Sequence, residues 1–240
     1  MKIKVVLSSL LLILIISFRT EGGEHLRKFR PKENISWQKS LQRLKAGNKR
    51  YLSMLGLSDK KASLYSRKYL TKGQWPFATI LCCSDSRVSP EIIFDSGQGE
   101  LFIVRVAGNV IDPDLIGSIE YATLHSTSHL IIVMGHEFCG AVTATVDHME
   151  NPKVNDTPDI NSIISKLMLP VIKAQKKTGL SGKKLIDAAA RENVRMVTKD
   201  VLKNSAALRK LEKQGKIKVV SAYYLLSTGK VEFLNKKRDI

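Results

Sequence analysis

The chain has 240 residues, enough for an amino-terminal leader followed by one α/β domain with a sizeable core. Hydrophobic residues make up 43% of it and charged residues 25%, which is ordinary for a globular protein. The net charge of +17 would suit a protein that binds nucleic acid or an anionic membrane. However, the basic residues are spread over both termini and residues 173–218, without a recognition motif or an array of stacking aromatic residues. We therefore interpret the charge as a solvated basic surface and predict no nucleic-acid partner.

Residues 1–22 are typical of a secretory signal peptide. Two lysines precede an apolar stretch, residues 5–18, that is too short to span a membrane comfortably. An uncleaved membrane anchor is the alternative, because the usual Ala-x-Ala cleavage motif is missing. We expect residues 23–33 to be a flexible linker and residues 34–240 to form the domain. The leader predicts an exported protein, periplasmic or secreted, with no stable membrane insertion once it is removed.

The first predicted element of the domain is a helical arm, since Trp37, Leu41 and Leu44 recur at helical spacing. An apolar β-strand follows at residues 77–82, and the polar segment CSDSR begins directly after it at Cys83. A second strand is predicted at residues 101–106, and a helix at residues 117–125.

A third apolar strand, residues 130–134, ends just before the segment His136-Glu137-Phe138-Cys139. If this strand and the first are neighbours in a parallel sheet, both polar segments emerge at its carboxyl edge, where open α/β sheets build their sites. Cys83, His136 and Cys139 would then converge as two thiolates and one imidazole. Such a set suits Zn²⁺ and leaves a fourth position free, as a catalytic zinc site requires.

The remainder of the chain alternates further helices with a late hairpin. Helices are predicted at residues 160–177, with a break or kink at Pro170, and at residues 183–203. A hairpin is predicted from residues 217–226 and 231–234. Together these elements predict one α/β domain with a mainly parallel central sheet flanked by helices, an N-terminal helical arm and a late antiparallel strand.

The adjacent cysteines Cys82 and Cys83 are expected to have different roles. Side chains alternate along a strand, so Cys82 should point away from Cys83 and be a buried apolar thiol. In an oxidising compartment, zinc ligation would protect Cys83 and Cys139 as thiolates.

The strings CSDSRV, GELFIVRVAGN, GSIEYA and GHEFCGA resemble the β-class carbonic anhydrases, of an exported bacterial type, in order and spacing. The resemblance runs from about residue 37 to residue 234. It implies one Zn²⁺ per subunit on Cys83, His136 and Cys139. The implied reaction is the reversible hydration of CO₂ to bicarbonate and a proton, by attack of zinc-bound hydroxide on CO₂.

The resemblance also implies catalytic roles for Asp85 and Arg87. The aspartate would hydrogen-bond the zinc-bound hydroxide, or become the fourth metal ligand in a closed state. The arginine would pair with the carboxylate and hold it away from the metal in the active state. An ordinary structural ion pair is the alternative for two such residues on a loop.

Four further residues match substrate-binding positions of that family. Gln74 matches a glutamine that donates a hydrogen bond to a substrate oxygen from the neighbouring subunit. Phe102 and Tyr121 match apolar positions that line the substrate pocket, although ordinary packing would also explain both. Gly140 matches a position whose N–H faces the bound anion at a helix start. The resemblance implies a homodimer or a higher homo-oligomer built from dimers.

Two other functions remain open at this point. The same fold and metal could hydrolyse CS₂ or COS, which are linear molecules attacked in the same way. A non-catalytic zinc-binding or anion-binding module is also possible, although it would not need Asp85, Arg87 and Gln74. A thiol redox protein fits less well, because Cys82-Cys83 is not a Cys-x-x-Cys motif.

Overall fold

Four apolar segments of the chain form parallel strands, and a fifth closes a hairpin. The strands are β1 (Ala78–Cys82), β2 (Leu101–Arg105), β3 (Leu130–His136), β4 (Lys218–Tyr224) and β5 (Val231–Leu234). Their order in the sheet is β2-β1-β3-β4-β5, and only β5 is antiparallel to its neighbour. The predicted α/β domain with a mainly parallel sheet and a late antiparallel strand is confirmed.

This computed structural model describes residues 35–53, 68–152 and 156–234. The predicted signal peptide and linker lie outside the described residues. Within them, no helix is both long enough and apolar enough to cross a membrane.

Helices cover both faces of the sheet. In chain order they are α1 (Trp37–Leu52), α2 (Pro90–Ile93), a 3₁₀ turn (Ala107–Asn109), α3 (Pro113–Leu124), α4 (Gly140–Glu150), α5 (Pro158–Thr178), α6 (Gly182–Asn204) and α7 (Ala206–Lys213).

The sheet separates two apolar cores. Alternation along β1 sends Cys82 into the core that contains Leu44 of α1. The next residue, Cys83, belongs to the opposite core, together with Leu167 of α5 and Val194 of α6. The predicted difference between the two adjacent cysteines is therefore confirmed, because they lie on opposite sides of the sheet.

Of the two outcomes predicted at Pro170, the break is wrong, and the kink stays a prediction. Helix α5 runs through this residue without interruption. Proline in a helix interior removes one backbone hydrogen bond and costs about 3 kcal/mol. Here, Pro170 lies on the buried face of the helix, beside the core residues Leu167 and Val171. We attribute the continuity of the helix to the burial of this face.

Helix α3 begins four residues before the predicted start at residue 117. The side chain of Asp112 caps its first turn by accepting a hydrogen bond from the Leu115 N–H at 3.0 Å. Pro113 occupies the first helical position, where its fixed φ suits the helix and its missing N–H costs nothing. The cap and the proline together explain the earlier start.

Asn48 ties helix α1 to the β4–β5 hairpin and to helix α2. Its side-chain amide donates to the carbonyl oxygens of Ile93 at 3.2 Å and Gly229 at 2.9 Å. Its side-chain oxygen accepts from the N–H of Val231 at 2.9 Å. The residue is only 5% exposed, so water cannot readily replace these bonds.

We expect Asn48→Ala to lower the free energy of unfolding by about 2–4 kcal/mol, because it leaves three buried backbone groups without partners. The matched control is Asn204→Ala, since the Asn204 amide bonds one exposed carbonyl, that of Asp200. The control should cost less than about 0.5 kcal/mol. Urea unfolding followed by circular dichroism, at a single protein concentration, measures both. Equal losses in the two variants would show that Asn48 has no special role.

Candidate active site

The pairing of β1 with β3 brings the two polar segments together. Cys82 lies opposite Met134 in this parallel pair, so Cys83 and His136 emerge at the same edge of the sheet. Cys139 follows a turn of two residues and is the N-cap of α4. The ligand atoms of Cys83, His136 and Cys139 all lie within 4.8 Å of one another, and all three residues are buried. The structure therefore brings together the three residues that the sequence proposed as ligands.

His136 has one ring nitrogen available for a metal. Its Nδ1 lies 2.9 Å from the backbone oxygen of Glu137, to which it can donate its proton. Its Nε2 is buried and has no hydrogen-bond partner among the residues that the structure describes. A buried polar atom without a partner is costly, and such atoms usually indicate a function. Nδ1–H bonding to a carbonyl leaves the Nε2 lone pair free, which is the usual arrangement of a metal-bound histidine.

The thiols of Cys83 and Cys139 hydrogen-bond to each other, and their pKa values are shifted in opposite directions. A hydrogen bond from the Cys139 thiol, together with the backbone N–H groups of Asp85 and Gly108, lowers the pKa of Cys83 to about 4. The same pairing and burial raise the pKa of Cys139. A divalent cation would stabilise both thiolates, and this soft donor set fits Zn²⁺.

Gly108 supplies one of these N–H donors from the 3₁₀ turn after β2. Its N–H lies 3.3 Å from the Cys83 sulfur. The residue has φ of +67°, and a Cβ there would lie 2.8 Å from Leu167 Cδ1. A larger residue at this position would be strained by the backbone conformation and would have to displace the Leu167 side chain. The carbonyl of Gly108 accepts from the buried amide of Asn193 on α6 at 2.8 Å, which holds the turn in place.

Asp85 and Arg87 form a two-point ion pair beside the candidate ligands. Arg87 Nε and Nη2 donate to the two carboxylate oxygens of Asp85 at 2.9 and 2.7 Å. These hydrogen bonds lower the pKa of Asp85 to about 2, so the carboxylate is ionised at neutral pH. Asp85 Oδ2 lies 3.9 Å from His136 Nε2, so the carboxylate faces the same space as the free ring nitrogen. Arg87 also donates to the Phe138 carbonyl at 3.2 Å.

Arg105, at the end of β2, is a site residue that the sequence reasoning missed. Its Nε donates to the Cys83 carbonyl at 3.1 Å, and its Nη2 donates to the Asp85 carbonyl at 2.7 Å. The arginine therefore holds the backbone of the segment that carries both residues. Arg105 lies opposite Cys82 in the β1–β2 pairing, which places it beside the site. That pairing cannot be read from the sequence, so no signal in the sequence indicated Arg105.

Cys82 is chemically separate from the site. It is fully buried in the opposite core, and burial raises the pKa of its thiol to about 12. It is therefore a protonated, apolar packing residue.

Three of the four residues predicted to bind substrate lie away from Cys83 within one chain. Gln74 is exposed and precedes β1, whereas Cys83 follows β1. Phe102 pairs with Thr79, which is about 13 Å before Cys83 at the usual rise of a strand. The rings of Phe102 and Tyr121 are 6.3 Å apart, and Tyr121 is 53% exposed. Gly140 differs, because it is the exposed first residue of α4 and directly follows Cys139.

Comparisons with known proteins point to one family. A family profile described as carbonic anhydrase matches residues 78–231. A carbonic anhydrase of Mycolicibacterium smegmatis is 35% identical over 197 residues, which cover 82% of this chain and 93% of that protein. Carbonic anhydrase 2 of Mycobacterium tuberculosis is 34% identical, with 78% and 87% covered. The solved structure of the β-carbonic anhydrase CcaA is similar with a TM-score of 0.64 at 26% identity, over 81% of this chain and 95% of that one.

We expect Arg105→Gln to weaken Zn²⁺ retention by about 10–100-fold, because the backbone around Cys83 loses both of its guanidinium donors. Arg209→Gln is the matched control, since Arg209 also donates to two backbone carbonyls, those of Leu202 and Lys203. Competition with a chromogenic chelator measures zinc affinity in both variants. Unchanged zinc affinity in Arg105→Gln would show that the arginine does not support the ligands.

Proposed function

Since this chain belongs to the β-class carbonic anhydrases, enzymes that reversibly hydrate CO₂ to bicarbonate, we propose that it holds one Zn²⁺ per subunit on Cys83, His136 and Cys139. One observation carries the proposal: the buried His136 Nε2, which has no partner in the described part of the chain, lies within 4.8 Å of two cysteine sulfurs. When bound, zinc lowers the pKa of a coordinated water towards 7 and thus supplies a nucleophile near neutral pH.

In this proposal, Asp85 and Arg87 orient the attacking oxygen. An ionised carboxylate is only an acceptor, so Asp85 can take a hydrogen bond from that oxygen and point its lone pair towards CO₂. Arg87 occupies both carboxylate oxygens and so keeps Asp85 ionised and correctly turned. The observed ion pair supports the active arrangement that the family resemblance implies. A closed state in which Asp85 ligates the metal stays a prediction.

We further propose that the substrate pocket is completed by a second copy of the chain. Gln74, Phe102 and Tyr121 lie towards the amino ends of the strands in their own chain, away from Cys83. They can serve a site only if another subunit presents its own Cys83 end to them. A homodimer, or an oligomer built from dimers, meets this requirement, and apolar rings suit CO₂, which has no dipole.

Gly140 is proposed to receive the bicarbonate product. Apart from Gly140, its chain neighbours and the adjoining helix backbone, no atom of the described residues lies within 4 Å of the position that a Cβ would occupy there, so the backbone at the start of α4 is approachable. The positive end of the helix favours an anion at this point.

Export to the periplasm or the outside of the cell is also a proposal. It is supported by the basic and apolar pattern of residues 1–22, which is typical of a cleavable leader.

We expect Cys83→Ser, His136→Asn and Cys139→Ser each to lose stoichiometric zinc and CO₂ hydration together, because each removes one of three ligands. Cys82→Ala is the matched control, since it removes a buried sulfur from the opposite core. It should keep zinc and activity. Elemental analysis and a stopped-flow CO₂ hydration trace are measured on the same preparations. Full activity in a zinc-free variant would disprove the proposal.

We expect Asp85→Asn to retain zinc but lose about 100-fold in turnover, because the amide is a poorer acceptor and can no longer pair with Arg87 as an anion. The pKa of Asp85 is about 2, so the wild-type carboxylate is ionised throughout the assay range. The loss should therefore persist from about pH 7 to about pH 9. Asp114→Asn, in the first turn of α3, is the control and should hydrate CO₂ normally. Normal turnover in Asp85→Asn near pH 8 would contradict the orienting role.

A further inference from the structure

A cavity of about 500 Å³ lies behind the turn that joins His136 to Cys139. Its walls are the end of α5, the first half of α6, and the turn residues Glu137 and Phe138. This volume is within the usual range for small-molecule sites. The carbonic anhydrase reaction, as proposed above, uses none of the residues from α5 and α6 that line it.

The cavity carries uncompensated positive charge. Five basic and three acidic side chains line it among the described residues, and each of the three acids already has a protein partner. Glu137 accepts from the Ser227 N–H at 2.9 Å. Asp187 accepts from Tyr223 and Arg191 at 2.7 and 3.0 Å.

The third acid, Glu192, lies 3.9 Å from Arg195. By contrast, Lys177, Lys183 and Lys184 form no ion pair with any residue that the structure describes. Three ammonium groups are therefore available to one anionic group.

The remaining wall is apolar. Phe138, Leu180, Ile186 and Ala188 contribute hydrocarbon surface beside the lysines. The side chain of Phe138 is 54% exposed. Bicarbonate or phosphate would leave this apolar surface exposed to water. A carboxylate with a short hydrocarbon body would cover the surface and still reach the ammonium groups.

We propose that this cavity binds an organic carboxylate with a short hydrocarbon body, and that its occupancy alters turnover at the neighbouring metal site. The carboxylate meets Lys177, Lys183 and Lys184, and the hydrocarbon body lies against Phe138 and Ala188.

Phe138 connects the cavity to the site. Its carbonyl accepts a hydrogen bond from Arg87, which holds Asp85. The residue has φ of +56°, a conformation that bulky side chains rarely adopt, so contacts around the turn hold its backbone under strain. A ligand that presses on this side chain can shift the carbonyl and thereby the Arg87–Asp85 pair. The effect on turnover rests on the proposed function, whereas binding to the cavity does not.

Binding is tested on the zinc-loaded enzyme by calorimetric titration with hexanoate and with acetate. Hexanoate should bind more tightly than acetate, because acetate lacks the hydrocarbon body. Lys177→Gln/Lys183→Gln/Lys184→Gln should weaken hexanoate binding at least about tenfold. Ala188→Phe, which fills the apolar wall, should weaken hexanoate but leave acetate unchanged.

The matched control removes the same charge from the same two helices outside the cavity. Lys173→Gln/Lys176→Gln/Lys199→Gln should bind hexanoate as the wild type does, although it lowers the net charge equally. Equal weakening in both triple variants would show general electrostatic attraction and overturn the site. Hexanoate binding that none of these variants changes, as expected for an anion at the metal alone, would also overturn it.

The effect on turnover is measured separately by stopped-flow hydration at saturating CO₂. Hexanoate should change the kcat of the wild type and of the control variant by at least about twofold, and leave the cavity triple variant unchanged. If hexanoate binds as expected but no kcat changes, the coupling through Phe138 is wrong. The cavity variant could lose hexanoate binding and also change its oligomeric state, as measured by size-exclusion chromatography. That result would show that the lysines contact another subunit instead, and it would overturn the site.

Discussion

The hydrogen-bonded parallel pairing of β1 with β3 is the constraint on which the site depends. With Cys82 opposite Met134, the chain leaves both strands at one edge and delivers Cys83 and His136 to the same place. A slip of one residue would exchange Cys82 and Cys83 between the two cores. Both strands are buried on both faces, so the apolar side chains on either side resist such a slip.

A centre built from two sulfur anions also needs donors from the surrounding backbone. The backbone N–H groups of Gly108 and Asp85 donate to the Cys83 sulfur. The backbone N–H groups of Ala141 and Val142, in the first turn of α4, donate to the Cys139 sulfur. These donors lower the pKa of the thiols or offset the burial that raises it. Arg105 holds the backbone from the β2 side. Negative charge near a metal tends to raise the pKa of a bound water, and such hydrogen bonds oppose that effect.

The sheet also separates chemical roles along its length. The candidate ligands lie at the carboxyl edge, while Phe102 and Tyr121 lie several residues towards the other edge. In the proposed assembly, a pocket that uses both would draw on two chains, whereas the described residues that line the basic cavity behind Phe138 lie in one. The two kinds of site would respond differently to dilution of the protein. Subunit assembly would govern the substrate pocket, whereas the fold of a single chain would govern the basic cavity.

The sequence by itself determined the features that depend on near neighbours. Alternation assigned Cys82 and Cys83 to opposite faces, and the two apolar strands with their trailing polar residues located the ligands, because a period of two is a local property. Only the tertiary structure revealed the role of Arg105 and the bond from the Gly108 N–H to the Cys83 sulfur, since both residues act across a strand pairing that no local pattern specifies. It also decided that α5 continues through Pro170, because burial of one helix face is a non-local gain that outweighs a local hydrogen-bond loss.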